Sequence, residues 1–171
     1  DLRIVRKYQD KEIDERIVGL ILHSATYSIS AGNLQPWEFV VVDEPETKRK
    51  IAKAALSTDH IAKAPLIIVV GADLQKDALK YGKRGEIVYA IEDAIQAAQI
   101  ILITANAFGL GGDLIRAFDE EELKGIVNFP DNVRPVAVVT LGYPAEEGEI
   151  PRRTPFEYVT HVNRFNNKIS N

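Results

Sequence analysis

The chain has 171 residues, 46% of them hydrophobic and 27% charged, the proportions of an ordinary globular domain and enough for one buried core. A formal net charge of −4 argues against a general nucleic-acid or anionic-membrane surface, so any basic chemistry has to be local. The lack of cysteine excludes disulfides, thiolate catalysis and cysteine-ligated zinc or iron–sulfur centres.

Residues 1–8 are charged and without the apolar core of a signal peptide. Asp14 is a helix cap, and Ile17, Leu20, Ile21 and Ala25 follow at helical spacing, which predicts a helix over 14–27. The β-branched and aromatic run 37–42 predicts a strand, broken by Asp43-Glu44-Pro45 and followed by a short helix over 48–56. Residues 65–70 are apolar on both faces and read as a central strand, after which Lys76, Lys80, Lys83 and Arg84 read as a basic loop. The longest periodic segment is 86–108, a helix apolar nearly all round, hence buried or shared between subunits. Glu92, Asp93, Gln96 and Gln99 interrupt it too often for a bilayer span. The glycines from 109 to 112 read as its C-terminal cap. Asp119 and Glu122 open a short helix that stops before Phe129-Pro130, and 134–141 is a third strand. Residues 145–171 are polar and weakly periodic apart from a short helix near 156–159, a composition suited to an arm that wraps a partner. Helices with few strands predict one α+β domain over 1–171.

Arg3, Arg6 and Lys7 form the first cluster with chemical content. Guanidinium forks match phosphate oxygens, although a solvated charged end is the commoner reading of such residues alone. Ser30, Asn33 and Gln35 put donors and acceptors on a loop that Gly32 allows close to a ligand, and the same loop also reads as plain connection. Gly109, Gly111 and Gly112 follow a helix rather than a strand and are not a dinucleotide fingerprint. Arg152 and Arg153 are a second phosphate candidate with a bland surface alternative. His23, His60 and His161 lack metal-ligand spacing, so no metal is expected. The acidic run from Asp119 to Glu122 suits a helix start rather than a catalytic dyad.

In order, these pieces resemble the FMN-dependent nitroreductase family over essentially the whole chain. The most specific match is Ser30-Ala31-Gly32-Asn33-Leu34-Gln35-Pro36-Trp37-Glu38-Phe39-Val40-Val41-Val42. Arg6-Lys7-Tyr8, Ala64-Pro65, Glu92-Asp93-Ala94, Gly109-Leu110-Gly111-Gly112, Gly142-Tyr143-Pro144 and Arg153 ahead of Pro155 support it. Ile29 stands where the family has proline. Ile4 stands in the serine position of a family arginine motif whose spacing is here one residue short.

The resemblance implies an α+β sandwich, a central and mostly antiparallel sheet flanked by helices, that dimerises through long helices with FMN in the subunit interface. The 145–171 extension would wrap the partner. Carried over by position, Arg3, Arg6 and Arg153 would hold the phosphate and ribityl chain. Ser30, Ala31, Asn33 and Gln35 would reach the flavin of the neighbouring subunit, and Leu110, Gly111 and Gly112 would lie by the ring edge and N5. Ser57 and His60 fall where some members place an amide and a basic residue, and Ile4 and Ile29 flank these contacts. The implied activity is that of a cytoplasmic, homodimeric oxidoreductase. It would pass reducing equivalents from NAD(P)H through flavin N5 to nitroaromatic, quinone or similar flat acceptors in a ping-pong cycle, with neither nucleic acid nor membrane as partner. Dehalogenation or ring dehydrogenation on the same fold, or a non-catalytic flavin-binding module, are the alternatives.

Overall fold

The computed structural model describes residues 2–55 and 59–168. Its centre is an antiparallel sheet of four strands in the order β1-β2-β4-β3, formed by β1 (Trp37–Val42), β2 (Leu66–Asp73), β3 (Gly111–Ile115) and β4 (Val133–Gly142). Strand β2 is central and buried on both faces, as its unbroken apolar run predicts. Its even-numbered residues Leu66, Ile68, Val70 and Ala72 meet one helical layer, and Ile67 and Val69 meet the other.

The first layer holds α1 (Glu15–Ala25) and α5 (Ala90–Ala107), the second α2 (Pro45–Ala54), α3 (Asp59–Lys63) and α6 (Glu120–Val127). Ala90, Ala94, Ala97, Ala98 and Ala105 face inward from α5, and their small side chains let it lie close on the sheet. Helix starts follow the sequence: Asp14 accepts from the Arg16 amide at 2.8 Å and Asp119 from the Glu122 amide at 2.8 Å. The α+β sandwich with a central antiparallel sheet is therefore the observed fold.

Two expectations need correction. The predicted basic loop is α4 (Leu74–Arg84), capped by Asp73, which accepts from the Gln75 amide at 3.1 Å. Leu74, Asp77, Ala78 and Tyr81 share its inner face while Lys80 and Lys83 stay in solvent, so a buried aspartate in place of a hydrophobe concealed the helical period. The glycines after α5 do stop it, with Gly109 at φ +75°, but Gly111 and Gly112 then open an edge strand rather than remaining a cap. Gly112 is required there because a Cβ would lie 2.0 Å from the Thr140 carbonyl oxygen.

Gly82, at φ +57° and ψ −145°, and a π-helical turn at Gly85–Tyr89 join α4 to α5. The whole run Leu74–Ala107 has 34 residues and is long and apolar enough, by length and composition, to cross a membrane. Its α5 part is a core helix, packed on the sheet. The chain closes with α7 (Phe156–Val159) and an arm whose large side chains are mostly exposed.

Candidate functional site

Backbone pairing brings the amino-terminal segment to the free edge of β3. The Val5 amide donates to the Gly112 carbonyl at 3.0 Å, and Ile4 exchanges hydrogen bonds with Glu149 at 3.0 and 2.9 Å. Glu146 accepts from the Arg6 amide at 2.8 Å and the Lys7 amide at 3.1 Å, fixing the direction in which the basic side chains leave. The close approach again depends on glycine, since a Cβ on Gly111 would meet Val5 at 2.5 Å.

Beside this junction is a cavity of about 470 Å³. Arg3, Arg116 and Arg153 line it, Ile95, Leu102 and Leu114 give it an apolar wall, and Gln99, Gly112 and Asp113 add polar lining. The size lies within the range that encloses small ligands and cofactors. Arg3 is partly engaged at the rim, donating to a Glu147 carboxylate oxygen at 3.1 Å.

Asp113 anchors a hydrogen-bonded network in the cavity wall. Its Oδ2 accepts from Arg6 Nε at 2.9 Å, and its Oδ1 accepts from the Leu114 amide at 2.9 Å. The Asp113 amide donates to Thr140 Oγ1 at 3.1 Å, Thr140 and the Tyr8 hydroxyl are 2.8 Å apart, and Tyr8 donates to the Val5 carbonyl at 2.8 Å. These contacts set the proton order, with the Thr140 hydroxyl donating to Tyr8. Burial pushes the Tyr8 phenol up to about 12. Asp113, by its hydrogen bond and its charge, raises the Arg6 pKa. His60 Nε2 lies 3.7 Å from Asp113 Oδ2, too far for a hydrogen bond, and has no hydrogen-bond partner among the described residues. Burial lowers the His60 pKa, Asp113 opposes that shift and Arg6 adds to it.

The cavity thus unites Arg3, Ile4, Gly112 and Arg153, with Arg6 and His60 joined to it through Asp113. Gly111 packs under Val5, Leu110 is a core side chain, and Ser57 lies outside the described residues. The loop with Ile29, Ser30, Ala31, Asn33 and Gln35 does not line this cavity. It is a rigid turn: the Ala31 amide donates to Asp93 at 2.8 Å, Ser30 Oγ accepts from the Gln35 amide at 3.0 Å, and Gly32, Asn33 and Gln35 all have positive φ. Ile29 projects almost fully into solvent.

Sequence reasoning missed Asp113 and Arg116. Their signal was a charged residue at each end of Asp113-Leu114-Ile115-Arg116, beyond glycines taken for a cap.

The fold and site together define a three-layer α+β protein with an arginine-lined cavity at a sheet edge. The nitroreductase family profile matches residues 3–59 and 56–143, and the chain belongs to that family. It is similar to an NADH dehydrogenase of Thermus thermophilus, with 35% identity over 185 aligned positions, 92% of this chain and 90% of the relative. Among solved structures, Bacillus megaterium NfrA2 superposes with a TM-score of 0.90 at 24% identity over 97% of this chain and 72% of that one. An FMN-dependent nitroreductase of Clostridium difficile superposes at 0.82 with 26% identity, covering 96% of both chains. As a member of this family the chain is an oxidoreductase.

Proposed function

We propose that the protein is a homodimeric, cytoplasmic FMN enzyme that takes reducing equivalents from NAD(P)H and passes them to a nitroaromatic, quinone or similar flat acceptor, the two substrates using one pocket in turn. The observation that carries this reading is the cavity of about 470 Å³ that Arg3, Arg116 and Arg153 line beside an apolar wall. A phosphate dianion and a flat ring system make complementary demands on such a lining.

The bound flavin supplies the hydride chemistry. Arg153 and Arg3 would hold the phosphate, with Gly112 in the cavity lining between them and the apolar wall. Ile95, Leu102 and Leu114 exclude water from one side. Loop 30–35, with Ser30, Asn33 and Gln35, serves the flavin of the partner subunit. Exposed Leu20, Tyr27 and Ile29, together with Ile87 and Ile103 on the π turn and α5, support burial against a second copy. The exposed Phe156, Tyr158, Val159 and Phe165 support an arm over 145–171 that wraps that copy.

The purified protein is expected to be yellow, to sediment as a dimer and to bleach anaerobically with NAD(P)H until an acceptor is added. A colourless protein that fails to take up FMN overturns the reading.

A further inference from the structure

We propose that Asp113 is a positioning residue of this pocket: it withdraws Arg6 from the cations that face a bound phosphate and locks it, beside His60, into a charge cluster in the pocket wall. The inference rests on reading the cavity as the FMN site.

Three observations carry it. Arg6 does not line the cavity, whereas Arg3, Arg116 and Arg153 do. The Arg6 guanidinium is instead tied to Asp113 at 2.9 Å, and that carboxylate is only 11% exposed against 52% for Arg6. Asp113 itself has little freedom, because Oδ1 is held by the Leu114 amide, its own amide by Thr140, and its backbone by pairing with β4. A carboxylate fixed this way directs the arginine rather than following it.

The cluster has a consequence for charge. A phosphate pocket with four free guanidiniums would be strongly positive throughout. Here Asp113 cancels one of them and also faces His60, and Glu147 partly balances Arg3 at the rim, so the unbalanced positive charge is left chiefly on Arg116 and Arg153. The other charged or titratable groups facing the cluster are Glu146 and Glu149 beside Arg6 and the Tyr8 hydroxyl behind Thr140, with Asp59 and Lys63 on the helix of His60. Converting Asp113 to a neutral isostere frees Arg6 toward the phosphate and makes the wall more positive, a change that favours reduced, more negative flavin.

The test titrates flavin-stripped protein with FMN and with riboflavin, the same ring system without the phosphate. Arg153→Ala and Arg116→Ala are each expected to cut the preference for FMN about tenfold, and Arg6→Ala by less than about threefold. Asp113→Asn is expected to bind FMN several-fold more tightly, by an order-of-magnitude argument, and to move the midpoint potential of bound FMN to more positive values. Loss of FMN preference in Arg6→Ala equal to that in Arg153→Ala overturns the proposal, as does weaker FMN binding by Asp113→Asn.

If wild-type protein binds neither flavin, the reading of the pocket fails, and the cluster is judged on its own by NMR of the His60 ring in the free protein. That ring should titrate at lower pH in Asp113→Asn and at higher pH in Arg6→Gln, which serves if the first variant does not fold. An unmoved His60 titration in a folded variant overturns the cluster.

Discussion

Asp113 in β3 and Asp77 in α4 are both buried carboxylates beside a tightly approached glycine, yet their surroundings differ in one decisive respect. Asp113 has a cation, Arg6, and a backbone amide as hydrogen-bond donors, and it borders a cavity. Asp77 is fully buried where α4 folds back on the π turn, and neither carboxylate oxygen has a partner among the described residues. Asp93 is intermediate, buried but accepting the Ala31 amide that anchors loop 30–35. A charge buried with a partner can remain a charge and direct its neighbours, while one buried without a partner is driven to its neutral form. Burial, reinforced by the negative charge of Asp93 and Asp73, accordingly raises the Asp77 pKa.

The comparison is broken most severely at the glycines. A Cβ on Gly112 would lie 2.0 Å from the Thr140 carbonyl oxygen and one on Gly85 2.2 Å from the Asp77 carbonyl oxygen, backbone atoms with little room to yield. Gly112→Ala and Gly85→Ala are each expected to cost about 3 kcal/mol in urea unfolding, with flavin uptake impaired more in the first.

The two aspartates should then respond with opposite signs to the same isosteric change. Asp113→Asn loses a charge-assisted hydrogen bond and is expected to destabilise by about 1–2 kcal/mol. Asp77→Asn removes an unpaired buried charge and is expected to stabilise by about 1 kcal/mol above neutral pH. Because the native Asp77 pKa is raised above its ordinary 3.8, its contribution is complete below that value and is lost as the pH climbs through the raised one. Urea midpoints measured from pH 4 to pH 9 should therefore fall less steeply in Asp77→Asn than in wild type.

A smaller effect is expected behind the pocket wall. Tyr8→Phe removes the donor to Val5 and the partner of Thr140, for about 1 kcal/mol. Tyr8 contributes fully below pH 10.0 and loses that contribution as the pH rises through about 12, so the variant should have a flatter alkaline limb in thermal melts. The smallest change is Glu147→Gln, which breaks an exposed pair with Arg3 and should alter stability by less than about 0.5 kcal/mol. FMN affinity in that variant should stay the same or rise slightly.

The sequence by itself determined the parts whose signal is local. The capped helices at Asp14 and Asp119, the apolar strand at Ile67–Val70 and the glycine stop after α5 all follow from neighbouring residues. So does the ordered motif from Ser30 to Val42, whose resemblance carried the family and the fold. Tertiary structure decided what depends on partners distant in the chain. Helix α4 reads as a basic loop until its inner face, with Asp77 buried in it, is seen against the π turn. Gly111 and Gly112 read as a cap until β4 and Val5 approach them too closely for any side chain. Arg6 reads as a phosphate ligand by position, and only the fold shows its hydrogen bond to Asp113, 107 residues away, which no local pattern contains.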